Sequence, residues 1–124
     1  KIHKNIIWVH CASLGEFEQA RPLIEKIKSD TCYKVFLTFF SPSGYEIRKN
    51  YENADWVYYL PLDTSQNASQ FINLIKPQKV FFTKYEFWYN YINTLKQQNI
   101  PTYLFSSKSS IERLYLPTKE VGDQ

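Results

Sequence analysis

The fold is decided by residues 6–16, which read Ile6-Ile7-Trp8-Val9-His10-Cys11-Ala12-Ser13-Leu14-Gly15-Glu16. The apolar, β-branched start predicts a buried strand, and the Ser and Gly that follow predict a turn into a helix. In an open parallel sheet, such turns lie at the carboxyl ends of the strands and line the ligand crevice. The same residues fit a capping box, in which Ser13 and Glu16 each accept a hydrogen bond from a free backbone N–H. The stretch therefore predicts strand, turn and helix, and leaves a structural and a chemical role open for Glu16.

The composition indicates an ordinary globular domain. A length of 124 residues is enough for one domain with a real core. The net charge of +3 comes from lysines spread along the chain, so we expect no nucleic-acid partner. Ten Tyr, nine Phe and three Trp are a large aromatic content. We expect most of these rings in the core and some on a surface that meets lipid or carbohydrate.

The cysteines, the absence of long apolar runs and the first residue indicate what kind of chain this is and in which compartment it folds. Cys11 and Cys32 lack the close spacing of a zinc site or a redox motif, so we expect free thiols in a reducing compartment. No run approaches the roughly 18 apolar residues of a transmembrane helix, and no signal segment is present, which predicts a soluble piece. The sequence contains no Met, so we do not expect Lys1 to be the native start. The chain has the character of a fragment.

Strand and helix patterns alternate along the whole chain. Four further strands are predicted from apolar runs that are β-branched or aromatic: Lys34–Phe39, Asp55–Leu60, Lys79–Thr83 and Thr102–Phe105. Apolar stripes of helical period begin at Phe17, Ala68 and Trp88. Pro22 predicts a first helix that is kinked there or regular only from Pro22 onward. The alternation predicts an α/β fold, a Rossmann-like open parallel sheet of about five strands with helices on both faces.

Two glutamates are predicted to lie beside one crevice. The usual strand order 3-2-1-4-5 reverses direction between the first and fourth strands and opens a crevice at their carboxyl ends. Glu16 follows the first strand and Glu86 follows the fourth. The helix macrodipole accounts for one acidic residue in a first turn, at about 0.3–1 kcal/mol. It accounts less well for two that converge, which is an arrangement that acid–base chemistry uses. A structural role at the helix starts and a role in acid–base catalysis are therefore about equally supported for Glu16 and Glu86.

Other polar residues are weaker candidates. His10 and His3 are possible bases, but a lone His beside a strand is more often structural. The turn at 41–44 offers backbone N–H groups to an anion, although a plain strand-to-helix turn is the simpler interpretation. Gly15 and Gly44 stand alone, so the sequence has neither a dinucleotide fingerprint nor a P-loop. Classical NAD and NTP enzymes are therefore disfavoured.

Residues 8–24 resemble the W-x-H-x-x-S-x-G-E…A-R-P-L-I segment of bacterial 3-deoxy-D-manno-octulosonic acid (Kdo) transferases. Further family motifs follow in the same order: T-x-x-T/S-P-T/S-G at 38–44, Y-L-P-x-D at 59–63, R/K-P at 76–77 and T-E-x-W at 85–88. The resemblance covers about Ile6 to Ser110, and several ordered motifs are far more specific than one. Lys108 stands where the family usually has Arg, which keeps the charge but loses the bidentate fork.

The resemblance implies the amino-terminal, acceptor-binding domain of a GT-B glycosyltransferase, of which this chain is one half. It implies that Glu16 is the general base for the acceptor hydroxyl and that Glu86 supports activity from the same cleft. Substrate contacts are implied for the other motif residues: Ser13, Gly15, Ser41, Ser43, Gly44, Trp88 and Lys108. The implied reaction moves Kdo from CMP-Kdo to a lipid A precursor with inversion at the anomeric carbon, and it uses no metal or other cofactor.

The resemblance also implies partners and a location. The partners are the lipid A precursor, a carboxyl-terminal domain that binds CMP-Kdo, and a membrane surface. The location is the cytoplasmic face of the bacterial inner membrane, with an anchor that precedes this chain. Residues 1–110 are predicted to form the acceptor domain and 111–124 a tail of unassigned structure. Alone, the fragment is not expected to catalyse transfer.

Two alternatives remain open at this point. The first is a flavodoxin-like binding or interaction module, in which Glu16 and Glu86 are helix caps that point away from each other. The second is another GT-B transferase that acts on a soluble acceptor, whose mark would be a cleft rim free of apolar patches.

Overall fold

The computed structural model describes residues 5–29, 32–83 and 88–105, and the backbone alone of residues 111–115. Strands and helices alternate as predicted, and the strand bounds agree with the predicted ones to within two residues. The elements in chain order are β1 (Ile6–Cys11), α1 (Leu14–Lys28), β2 (Lys34–Phe39), α2 (Pro42–Arg48), β3 (Trp56–Tyr59), α3 (Ser65–Ile75), β4 (Lys79–Phe82), α4 (Tyr89–Gln97), β5 (Thr102–Phe105) and β6 (Ile111–Tyr115).

The strands form one sheet in the order β3-β2-β1-β4-β5-β6. Neighbours among the first five strands are parallel, which confirms the predicted order and the α/β class. β6 was not predicted, and it pairs antiparallel with β5. Only residues 106–110 separate β5 from β6, and a parallel crossover needs a dozen or more residues. Residues 111–115 of the unassigned tail therefore extend the sheet.

The core has two layers because successive side chains of a strand point to opposite faces. Every residue of β1 is buried, so the central strand is covered on both sides. Trp8 and Phe36 belong to the cluster that packs against α3 and α4. Val9 and Leu37 belong to the cluster that includes side chains of α1. The rims of both layers meet at the carboxyl edge of the sheet.

Pro22 does not shorten the first helix. α1 runs from Leu14 to Lys28 with Pro22 in its interior, so the prediction of a helix that is regular only from Pro22 onward is wrong. Pro22 is exposed, so the backbone hydrogen bond that it removes lies on the solvent side of the helix. The start of α1, and with it Glu16, is consequently helical.

Two further predictions concern Cys11 and the membrane. Cys11 is a free, buried thiol at the end of β1, as expected. Burial raises its pKa, and the nearby Glu16 carboxylate adds to that shift, so the thiol is neutral and unreactive.

None of the helices in the described part of the chain has both the length and the apolarity to cross a bilayer.

Candidate active site

The candidate site lies at the carboxyl edge of the sheet, between the parallel strands β1 and β4, where the order of the strands reverses. The backbone N–H of Thr83, just after β4, donates to the carbonyl of His10 at 3.1 Å. On the other side, the N–H of Ser41 donates to the carbonyl of Ala12 at 2.9 Å. The ends of β1, β2 and β4 are thereby tied together around the start of α1.

Glu16 lies in the first turn of α1 and is held through one carboxyl oxygen. Oε1 accepts hydrogen bonds from the N–H of Ala12 at 2.8 Å and from the hydroxyl of Thr83 at 2.7 Å. Across the described residues, nothing donates to Oε2, and the side chain is only partly buried. An oriented carboxylate with one open oxygen is arranged to accept a proton from a bound hydroxyl.

The predicted capping box is present in a shifted form. Ser13 is the N-cap of α1, and its Oγ accepts from the N–H of Glu16 at 3.3 Å. Glu16 binds the N–H of Ala12 instead of that of the N-cap Ser13. The same side chain also reaches Thr83 on the far side of the crevice. Glu16 therefore stabilises the turn before α1 and also lies in the candidate site. The structural and chemical roles are therefore compatible.

The β2–α2 turn packs directly against this helix start. Ser41 caps α2, with its Oγ 3.4 Å from the N of Gly44 and 2.9 Å from the Oγ of Ser43. A Cβ added at Gly44 would lie 2.6 Å from the Phe39 ring and 3.2 Å from the backbone N of Leu14. Glycine at position 44 therefore allows the two helix starts to approach each other.

Gly44→Ala is expected to destabilise the fold by about 1–3 kcal/mol, because the methyl group would overlap the buried Phe39 ring. Gly15→Ala is the matched control, since an added Cβ there meets only the Oγ of Ser13 at 3.9 Å. We expect that change to be neutral or to stabilise by up to about 1 kcal/mol, because alanine favours helix over glycine. Urea unfolding measures both, and equal stabilities would contradict the packing described.

Trp88 closes the site on the side of α4. Its ring meets the His10 ring edge-on with centroids 4.6 Å apart, and it lies 5.5 Å from the Phe40 ring. Trp88 is buried, whereas Phe40, directly after β2, is about half exposed. Trp88 thus forms a wall of the site and Phe40 forms part of its rim.

Asp63, in the loop after β3, fixes the start of α4. Its carboxylate accepts from the N–H groups of Asn90 and Tyr91 at 3.3 and 3.1 Å. The N-cap residue Trp88 makes no side-chain capping bond of its own, so Asp63 supplies the acceptor that the helix start needs. The sequence analysis placed Asp63 at the end of the Y-L-P-x-D motif but gave it no role, because nothing near α4 in sequence marks a cap that comes from another loop.

Buried polar side chains form a chain beneath the site. The Nε1–H of Trp8 donates to the hydroxyl of Thr38 at 2.8 Å, and that hydroxyl lies 2.8 Å from Nδ1 of His10. An indole only donates, so the Thr38 hydroxyl accepts from Trp8. That hydroxyl keeps one hydrogen and one lone pair for His10, and the tautomer of the ring decides which of the two donates.

His10 is neutral in this setting. Burial lowers its pKa to about 3, although a hydrogen bond with Thr38 opposes the shift. Its Nε2 is buried and finds no acceptor among the described residues. A base of such low proton affinity is poorly suited to accept a proton near neutral pH, which agrees with its low rank as a candidate.

The comparison with known proteins assigns this chain to a family. Residues 1–115 match the profile of the amino-terminal domain of the 3-deoxy-D-manno-octulosonic-acid transferase (kdotransferase) family. The chain belongs to the Kdo transferase family. The family resemblance of the motifs is thereby confirmed, and Glu16 lies within the matched segment.

Named relatives agree with this membership. The 3-deoxy-D-manno-octulosonic acid transferase of Aquifex aeolicus is 32% identical over 112 residues, which are 90% of this chain and 31% of that protein. The transferase of the same name from Haemophilus influenzae is 32% identical over 106 residues, 84% of this chain and 25% of that protein. A bifunctional glycosyltransferase/methyltransferase of Fusobacterium nucleatum is 30% identical over 96 residues, 75% of this chain and 15% of that protein. The chain thus spans between about a seventh and a third of these curated relatives.

Several site predictions for this member of the Kdo transferase family stay predictions. Glu86 and Lys108 lie outside the described residues, so the pairing of Glu16 with Glu86 is not tested. Gly15 and Ser43 are exposed at their helix starts, where no ligand contact is tested either. Within the described ranges, no three His, Cys, Asp or Glu side chains are grouped to hold a metal ion.

Thr83 is the site residue that the sequence analysis missed. It was predicted only as the last residue of a strand, yet its hydroxyl orients the Glu16 carboxylate. The available signal was its position, since a polar residue at the carboxyl end of β4 lies next to the point where the strand order reverses.

Proposed function

We propose that this chain is the acceptor-binding part of a Kdo transferase that moves Kdo from CMP-Kdo to a lipid A precursor, with Glu16 as the general base. The observation that carries the proposal is the Glu16 carboxylate, which is held through Oε1 and whose Oε2 accepts no hydrogen bond from the described residues. Family membership supports Kdo transfer as the reaction class.

The proposed reaction is a single displacement. Oε2 of Glu16 takes the proton of the acceptor hydroxyl, and the hydroxyl oxygen attacks the anomeric carbon of Kdo. The bond from that carbon to the phosphate oxygen of CMP breaks, and CMP leaves from the opposite side, which inverts the anomeric configuration. Glu86 is proposed to shape the electrostatics of the same cleft. The donor is held by a carboxyl-terminal domain in a GT-B arrangement, so these 124 residues alone should not turn over.

The rim of the crevice supports an acceptor with apolar chains. Large apolar side chains are exposed after the carboxyl ends of β2 and β3 and at the start of α4: Phe40, Tyr59, Leu62 and Tyr89. A soluble acceptor would favour a rim free of such patches, so this surface favours the lipid acceptor over the second alternative. It also fits a protein that works at a membrane, which we propose is the cytoplasmic face of the bacterial inner membrane.

The test uses the natural full-length protein that carries this sequence. It is incubated with CMP-Kdo and a lipid A precursor, and we expect a Kdo-bearing product by mass spectrometry. The deacylated precursor is the control for the acceptor. Equal transfer to both acceptors would overturn the lipid part of the proposal, and no transfer from CMP-Kdo would overturn the reaction itself.

Thr83→Val is expected to lower that transfer by about 10- to 100-fold. The change keeps the shape of the side chain but removes the hydroxyl that donates to Oε1 of Glu16 at 2.7 Å, so the carboxylate loses a charge-assisted hydrogen bond and its orientation. Thr83→Ser keeps the hydroxyl and should keep most of the activity. If the Val and Ser variants transfer Kdo equally well, Thr83 does not position Glu16.

A further inference from the structure

A cavity of about 680 Å³ lies between α3 and the edge strand β3, on the sheet face that α3 and α4 cover. This volume is within the range of about 300–1,000 Å³ that small-molecule sites occupy. Its walls are mostly aromatic and aliphatic, with Phe36, Trp56, Tyr58, Phe71 and Leu74 among them. We call this cavity the β3 groove.

The β3 groove extends along β3 from one edge of the sheet to the other. One end is lined by Ile6 and Lys76, at the amino edge of the sheet, and the other by Tyr59 and Pro61, at the carboxyl edge. The strand between these ends, β3, has four residues, which span roughly 13 Å at about 3.3 Å per residue. A ligand chain laid along β3 would therefore join the lysine at one end to the aromatic side chain at the other.

The floor of the β3 groove is an aromatic row. The Phe36 ring stacks on the Tyr58 ring with centroids 5.5 Å apart and lies 5.6 Å from the Trp56 ring. At the mouth, Tyr58 is 52% exposed and Leu74 on α3 is 81% exposed. These apolar surfaces are exposed to solvent, and a ligand that covers them gains hydrophobic free energy.

The charge of the β3 groove is one-sided. Among the described residues that line it, Lys76 is the single charged one and none carries a carboxylate. Lys76 is the C-cap of α3, and its left-handed backbone (φ 46°) is fixed by a hydrogen bond from its N–H to the carbonyl of Ile72. A cation at the end of an apolar channel is complementary to a ligand with one anionic end and one aliphatic chain.

We propose that the β3 groove binds a monomeric anionic amphiphile with a single aliphatic chain, of the fatty-acid class, with the acid group at Lys76 and the chain along Phe36 and Tyr58. The head group then lies at the amino edge of the sheet, opposite to the edge that holds Glu16. The acid group is thus placed away from Glu16, whereas the other end of the groove shares Tyr59 with the rim of the acceptor crevice. The proposal does not depend on the transfer reaction.

The first test measures dodecanoate, below its micellar concentration, binding to the full-length protein by calorimetry. Across shorter and longer homologues, we expect each added methylene to tighten binding by about two- to fourfold. This gain should stop once the groove is filled. A gain that continues without a plateau indicates adsorption or micelle formation, and the absence of dodecanoate binding excludes the ligand class. Either result overturns the proposal.

The second test combines Lys76→Asn with dodecanol as an uncharged probe. Asn tolerates the left-handed backbone at this C-cap, so the fold should be kept. We expect Lys76→Asn to weaken dodecanoate binding by about five- to tenfold and to leave dodecanol binding unchanged. Lys26→Asn, on α1 across the sheet, is the matched control and should change neither affinity. Equal effects of the two variants on dodecanoate would overturn the placement of the acid group.

The third test places a carboxylate at the mouth of the groove with Leu74→Glu. Leu74 is 81% exposed, so the fold should tolerate the change, and we expect dodecanoate to bind at least about tenfold more weakly. Ile47→Glu is the control, because Ile47 on α2 is also exposed but does not line the groove. Unchanged dodecanoate affinity in Leu74→Glu would overturn the proposal. So would binding only to phosphatidylglycerol vesicles, or a dimer that Leu74→Glu dissociates.

Discussion

Glu16→Gln is expected to lower Kdo transfer by the full-length protein by about 10²- to 10⁴-fold, the usual contribution of a general base. Gln keeps a carbonyl oxygen in the place of Oε1, so the N–H of Ala12 and the hydroxyl of Thr83 both retain their acceptor. An amide nitrogen replaces Oε2 and does not accept a proton. The loss should therefore appear in kcat, with the fold unchanged.

Two further variants separate the proposed role of Glu16 as a base from its role in holding the start of α1. Glu18→Gln alters an exposed carboxylate of the same helix, bound to Arg21 and Arg48, and should leave transfer unchanged. Glu16→Ala removes the tie to Ala12 as well and should also destabilise the fold by about 1 kcal/mol in urea unfolding. If Glu16→Gln transfers Kdo as fast as the wild type, the glutamate is a cap only. That result would favour the binding-module alternative.

The fold was largely predictable because a local sequence pattern marks each of the five parallel strands. Apolar runs and helical stripes depend on short-range spacing, and the parallel order follows from right-handed crossovers. β6 was missed because Ile111–Tyr115 carries two charged residues and joins the sheet at its edge, where burial does not impose an apolar pattern. Local pattern therefore predicts buried strands better than edge strands.

The site was predictable only in part, for a different physical reason. Ser13 and Glu16 are visible in sequence because their partners lie within a few residues along the chain. Thr83 meets Glu16 across 67 positions, and Asp63 caps a helix 27 or more positions away, so no local pattern marks either contact. The fold that brings them together also creates the β3 groove from side chains that resemble ordinary core in sequence.

The buried polar chain beneath the site has a consequence for stability. Trp8, Thr38 and His10 are all at most 1% exposed, and His10 has no charged partner among the described residues to stabilise an imidazolium. Protonation of the native state at His10 is therefore opposed by burial, which lowers its pKa to about 3. In the unfolded chain the same group titrates near its ordinary value of about 6.5.

The 124-residue chain is accordingly expected to lose stability on mild acidification. Because the folded pKa of His10 lies below the unfolded one, this contribution is complete above about pH 6.5 and falls as the pH drops toward about 3, by about 1.4 kcal/mol per pH unit. Asp55 and Glu18, whose pKa values are lowered, lose their contributions only near pH 4 and below, so urea unfolding between about pH 7 and about pH 5 avoids both carboxylates. His10→Gln keeps a hydrogen-bonding group beside the Thr38 hydroxyl and should flatten that dependence. A wild-type stability that does not change over this interval would mean that His10 is accessible to protons in the native state.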